Sequence, residues 1–283
     1  MKLIYAVALL LCSTPAAAQT RFISFGDWGN GAVAPLVNKL APQFIVTTGD
    51  NCYGTSPLLS VITDKYYGAY KKAGNFYPSL GNHDIDNLCG GTGFADNYLQ
   101  YFTLPGNERY YDFVRGPVHF FVLNSYKEPD GMTPNSKQGV WLKNKLVAST
   151  SPWDIVVFHR PSYSSGSHGS TAYMRWPFEQ WGADVVLTGH DHDYERVMKD
   201  DNNNKVQMPY FVTGLGGQSR RGFNQIIAGS AVRYFAAYGV LLGTATDTTL
   251  KFEFRNTQSA LIDSYSMSKA TARSTAIEFR TCC

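Results

Sequence analysis

Asp184-Val-Val-Leu-Thr188-Gly-His190-Asp-His192 is a short apolar and β-branched run that breaks at a glycine and delivers two histidines one residue apart. A run of this length reads as a strand buried on both faces, and the glycine ends it in a turn. Four other stretches repeat the pattern. Residues 22–25 precede Gly-Asp-Trp-Gly at 26–29, and residues 44–48 precede Gly-Asp-Asn-Cys-Tyr at 49–53. Residues 76–80 precede Gly-Asn-His-Asp at 81–84, and residues 154–158 precede His159. Between them, residues 32–40, 61–72 and 138–148 carry apolar side chains at helical spacing. Strand-helix alternation predicts a layered α/β domain whose ligands sit beyond the carboxyl ends of the strands, where these polar islands fall. From Pro209 onward only strands are expected, at 210–213, 238–244, 249–254 and 260–267, and they read as the second sheet of a sandwich.

Histidine placement points to chemistry at those strand ends. The chain has six histidines, and five of them (His83, His159, His168, His190 and His192) lie in or just after the islands. Imidazoles gathered at loop ends suit metal binding and proton transfer, because neutral ring nitrogens can converge there. His119, inside an apolar run, is expected to be a core or strand-edge residue. Asp, Tyr, Asn and His in this order suit two adjacent metal ions, although each island alone is an ordinary Asx turn.

Composition sets the frame. The chain of 283 residues is 44% hydrophobic and 14% aromatic, enough for a substantial core. Lys2, an apolar run over residues 3–11 and Ala16-Ala17-Ala18 have the layout of a cleaved secretory signal, so residues 1–18 are expected to be a signal peptide and 19–283 a single catalytic domain. The run is too short to span a bilayer, for which about 20 residues are needed. A secreted or periplasmic monomer is expected, without a membrane partner. Formal charge is +3, +2 without Lys2, and no block of like charge appears, so there is no electrostatic footprint for nucleic acid. Four cysteines remain beyond the signal. Cys52 with Cys89 is the preferred disulfide, since both follow loops that must converge, and Cys282 and Cys283 have open pairings.

The islands, with Gly-His-Asp-His-Asp-Tyr-Glu-Arg at 189–196 and Ile-Asp-Ser-Tyr at 262–265, resemble the calcineurin-like metallophosphoesterases. Within them they resemble the small, tartrate-resistant type of purple acid phosphatase. The generic superfamily places a histidine two residues beyond its first Asp. Here that position is Gly29, and Tyr53 matches the purple enzymes' replacement. A phenolate is a hard anionic donor suited to ferric iron.

The resemblance implies a four-layer α/β/β/α sandwich with two mixed sheets flanked by helices. It implies that Asp27, Tyr53 and His192 hold Fe3+, that Asp50 bridges, and that Asn82, His159 and His190 complete the site of a second divalent ion, Fe2+, Zn2+ or Mn2+. It further implies that His83 and His168 bind substrate and donate the leaving-group proton, with Asp84 positioning its neighbours. Two such ions would bind phosphoryl oxygens and generate a metal-bound hydroxide, giving hydrolysis of phosphate monoesters with an acid optimum. Arg220 and Arg221 are candidate phosphate contacts, or simply surface residues, and Trp28 either walls the pocket or packs. Alternatives are a phosphodiesterase or nucleotide pyrophosphatase on the same scaffold, or a secreted protein that is a non-catalytic metal or phosphate binder or is mainly redox-active.

Overall fold

A computed structural model describes residues 19–54, 59–86, 93–201 and 203–269. The expected signal at 1–18 and Cys89, Cys282 and Cys283 lie outside the described residues.

Two mixed sheets stack face to face. The first has the order β13 (Leu261–Ser268), β12 (Thr249–Asn256), β11 (Gly239–Ala245), β1 (Thr20–Phe25), β2 (Phe44–Thr47) and β3 (Phe76–Pro78). The second has the order β10 (Ser230–Tyr234), β8 (Tyr194–Lys199), β9 (Met208–Thr213), β7 (Val185–Thr188), β6 (Trp153–Val157), β5 (Val118–Val122) and β4 (Tyr111–Arg115). β1, β2 and β3 run parallel, as do β5, β6, β7 and β9, while the remaining pairs are antiparallel.

Side-chain alternation explains why the inner strands are apolar at nearly every position. In β6, Ile155 and Val157 enter the core between the sheets, while Val156 faces outward to α5 (Lys137–Val147) and α6 (Phe178–Trp181). In β1, Phe22 faces the other sheet. Ile23 and Phe25 meet the outer cluster formed with α1 (Ala34–Leu40), α2 (Leu59–Lys72), α3 (Asn82–Ile85) and α4 (Asp96–Tyr101). Phe22 ties the two sheets, packing edge-on against Phe120 of β5 at 5.0 Å between ring centroids while stacking on Phe44 at 5.6 Å. Such pairs add about 0.5–1.5 kcal/mol each beyond the area they bury. The layers are therefore helices, sheet, sheet, helices, as the resemblance implied.

The strands after Pro209 do not make a sheet of their own. β9 enters the second sheet beside β7, and β11 to β13 extend the first sheet from β1. Amphipathic antiparallel strands state that one face is buried without stating which strand they adjoin. β13 reaches across the seam nonetheless. Asp263 accepts hydrogen bonds from Arg196 Nε at 2.8 Å, Arg196 Nη2 at 3.1 Å and the Tyr194 hydroxyl at 2.7 Å, all on β8. His119, on β5, lies 2.8 Å from Asp112 Oδ2 and 3.2 Å from Ser149 Oγ, a structural role away from the islands. No helix among the described residues is long and apolar enough to cross a membrane.

Candidate metal centre

Both sheets send residues to one place. Asp27, Asp50 and Asn82 follow β1, β2 and β3, whereas His159, His190 and His192 follow β6 and β7. Asp27, Asp50 and His190 hold φ of 57°, 50° and 70°. This left-handed region is uncommon outside glycine and more often entered by Asp and His, and here it turns each side chain back across its strand end. Gly81 allows the approach of Asp50, since a Cβ there would meet the Asp50 carboxylate.

The side chains converge at two points. The Tyr53 hydroxyl lies 2.9 Å from Asp27 Oδ1, 2.9 Å from Asp50 Oδ2 and 3.2 Å from His192 Nε2. His159 Nε2 lies 3.2 Å from Asn82 Oδ1, 3.2 Å from His190 Nδ1 and 3.3 Å from Asp50 Oδ2. Asp50 Oδ2 therefore belongs to both groups. Asp50, His159 and His190 in addition offer three ligand atoms close enough to share one cation.

Backbone carbonyls aim the rings. His159 Nδ1 donates to Thr48 O at 2.8 Å and His192 Nδ1 to Ser219 O at 2.8 Å, so each presents Nε2 to the centre. Asp84 accepts from Gly81 N at 2.8 Å, Asn51 N at 3.1 Å and Asn51 Nδ2 at 2.9 Å, bracing the loops that carry Asp50 and Asn82.

Electrostatics fit a cation. Asp27 and Asp50 are buried side by side, and among the described residues no lysine or arginine pairs with either. Burial, added to the charge of Asp50, pushes the Asp27 carboxyl well above its usual range. Burial opposes charge on His159, but the Asp50 carboxylate overrides it and lifts the ring to about 9. Burial holds His192 down to about 4 and His190 lower still, which favours the neutral, ligand-competent ring. Two carboxylates and an imidazole packed this closely without a counter-cation shift toward their protonated forms, and the donors are the O and N types that first-row metals take.

The centre opens into a cavity of about 210 Å³ lined in part by His83, His168, Gln218 and Arg221. The His83 ring lies 4.0 Å from the Tyr53 ring, and its backbone N donates to Asp50 Oδ1 at 2.9 Å. The His168 ring stacks on His190 at 4.3 Å, its Nε2 lies 2.6 Å from Arg221 Nη1, and its backbone N donates to Asp191 Oδ1 at 2.7 Å. Burial lowers the pKa of both histidines. Trp28 is fully buried against Phe25, Tyr67 and Phe76, so it packs and does not wall the pocket.

Sequence reasoning passed over Asp191, which also accepts from Ser164 Oγ at 2.5 Å and Gly169 N at 3.1 Å and so holds the His168 loop. Its place between His190 and His192 was the available signal. Asn51, hydrogen-bonded to Thr47, Ser79 and Asp84, was likewise missed.

A four-layer sandwich with carboxylate, tyrosine, amide and imidazole donors at its strand ends defines a metallophosphoesterase. The calcineurin-like phosphoesterase model matches residues 20–194, and the chain belongs to that family. It is 27% identical to "Purple acid phosphatase 15" of Arabidopsis thaliana over 74% of this chain and 47% of the relative. It is 25% identical to "Acid phosphatase type 7" of Mus musculus over 75% of this chain and 54% of the relative. The chain thus spans about half the length of these curated relatives. Among solved structures, the purple acid phosphatase PPD1 from yellow lupin seeds superposes with a TM-score of 0.75 at 20% identity, covering 90% of this chain and 55% of that one. The GAP50 anchor of the Plasmodium inner membrane complex superposes at 0.67 and 19% identity, covering 90% of each. These two likenesses concern the fold.

Proposed function

We propose that this chain is an exported, monomeric acid phosphatase that hydrolyses small phosphate monoesters at a pair of cations, Fe3+ and a second divalent ion. The observation that carries the reading is the shared oxygen. Asp50 Oδ2 stands in both donor groups, the arrangement needed for one carboxylate to bridge two ions. Asp27, Tyr53 and His192 would hold one ion, and Asn82, His159 and His190 the other. Bound there, the ions supply charge for the phosphoryl oxygens and acidity for the attacking water. Residues 19–283 are proposed to act as one catalytic domain, with Cys52, which is disulfide-bonded, joined to Cys89.

The chain's own residues supply the rest. Asp50 is held ionised beside His159, and Asp27 would join it as a carboxylate once a cation took the place of its proton, while the carbonyls of Thr48 and Ser219 keep His159 and His192 turned inward. His83 lies over Tyr53 at the cavity wall and would protonate the leaving alkoxide. His168, on the opposite loop, is the second candidate. With pKa values below the ordinary imidazole value, both rings hold a proton only in acid, the range expected for activity. Phosphodiester or pyrophosphate hydrolysis remains the alternative on this scaffold.

The test is the visible spectrum of the purified, metal-loaded protein beside Tyr53→Phe, with turnover of a monoester and a bis-ester. A purple charge-transfer band lost in the variant, with faster monoester turnover, is expected. A colourless, fully metallated wild type rejects the ferric assignment, and preference for the bis-ester rejects monoester specificity.

A further inference from the structure

Arg220 and Arg221 are neighbours in sequence that separate in the fold. The Arg220 guanidinium donates to Phe235 O at 3.0 Å and to Ala236 O, and lies 5.4 Å over the Tyr238 ring. That side chain is committed to holding its own loop against the segment 235–238. Arg221 turns the other way, into the cavity, where it is the one lysine or arginine lining the wall among the described residues. Its backbone N donates to His192 O at 3.0 Å, which fixes the root of the side chain beside the donor groups.

The tip of Arg221 has a single described partner in the cavity, His168 Nε2 at 2.6 Å. A guanidinium only donates, so Nε2 accepts, and a neutral imidazole is a modest acceptor for a full positive charge. Phosphoryl oxygens are better acceptors, because they carry charge and match the planar fork of donors two at a time. His168 itself is held from behind, its backbone by Asp191 and its ring against His190, so the pair separates by movement of the arginine.

Building on the phosphatase reading above, we propose that Arg221 positions the substrate's phosphate. Its guanidinium exchanges His168 Nε2 for non-bridging oxygens of the ester, and the same exchange turns Nε2 open to the pocket. Arg220 has no part in this. The fork takes two non-bridging oxygens, which monoesters and diesters both offer, so it contributes binding of the phosphate rather than choice between the two ester classes. Of the two arginines only Arg221 reaches from the loop into the cavity.

The experiment measures calorimetric affinity for inorganic phosphate, and KM and kcat for an aryl phosphate monoester, on metal-loaded wild type, Arg221→Gln, Arg221→Lys and Arg220→Gln. Arg221→Gln is expected to weaken phosphate binding about tenfold or more and to raise KM in parallel, with a smaller change in kcat, as for loss of one charge-assisted contact. Arg221→Lys recovers part of the affinity as a charge without the fork, and Arg220→Gln stays within about twofold of wild type. Unchanged phosphate affinity in Arg221→Gln overturns the proposal, as does an equal loss in Arg220→Gln, which would make loop integrity the cause. Should the wild type bind phosphate through Arg221 yet turn over no ester, the phosphatase reading falls and this assignment stands. If it turns over ester and Arg221→Gln matches it in KM and phosphate affinity, only this assignment falls.

Discussion

Tyr53 occupies the space that a side chain on residue 29 would need. A Cβ on Gly29 would stand 2.8 Å from Tyr53 Cδ2, and Gly29 holds a φ of 38°. The space beside Tyr53 therefore excludes a side chain at residue 29, where the resemblance places the generic superfamily's donor, and on the function proposed above Tyr53 would supply that donor from the other loop.

Gly29→Ala is expected to displace the phenol ring, lowering turnover about tenfold or more and stability by about 1–2 kcal/mol. The double variant Gly29→His with Tyr53→Ala restores room for a donor at position 29 and should recover part of the activity lost in either single change. Turnover in a double-mutant cycle checks this. Simple additivity of the two losses would mean that the positions are independent.

Asp191 organises the His168 loop through three hydrogen bonds and lies outside both donor groups. Asp191→Asn should therefore lower kcat for an ester with a poor leaving group about tenfold and leave metal content near wild type. Steady-state kinetics with elemental analysis reads both. Unaltered kcat would remove the loop's ordering from the catalytic account.

Asp263 binds Arg196 and Tyr194 across the seam between the sheets. Removing one partner of a buried, hydrogen-bonded ion pair leaves the others uncompensated, so Asp263→Ala should cost about 3 kcal/mol. Denaturant unfolding at neutral pH measures it, and a loss below about 1 kcal/mol would show that the pair is solvated.

Asp154 carries a pH dependence of the opposite sign to an ordinary ion pair. Burial, with Asp184 nearby and a Ser149 hydrogen bond in opposition, raises its carboxyl to about 6. The unfolded chain releases this proton near its ordinary value, about 3.9, and the folded chain retains it to about 6, so stability falls across that interval as pH rises. Asp154→Asn keeps an acceptor for the Ser149 hydroxyl and should gain about 1 kcal/mol at pH 7.5 and almost nothing at pH 4. Melting curves at the two pH values decide. An equal shift at both would assign the effect to packing.

Much of this was legible in the chain because strands buried on both faces leave uninterrupted apolar runs, as at Val185–Thr188, and because the histidines are few and cluster at the ends of such runs. Partner choice was not legible. β12 has a clean one-faced pattern that fits either sheet, and β4, five residues of which only Tyr111 is buried, carries too short and mixed a pattern to stand out. Nor do Thr48 and Ser219 announce their roles, since it is their carbonyls that orient His159 and His192 and every residue has one. The divergence of Arg220 from Arg221 depends on carbonyls of residues 235 and 236, remote from them in sequence.

Because each sheet contributes only part of the donor set, neither can assemble the centre alone. Asp27 and Asp50 belong to one layer and His159 and His190 to the other, so an occupant of the site would work as a clasp between layers. Its binding free energy would resist sliding and splaying of the sheets, while its loss would loosen the molecule along the seam that the chemistry uses. Catalytic loading and mechanical cohesion would then rise and fall together.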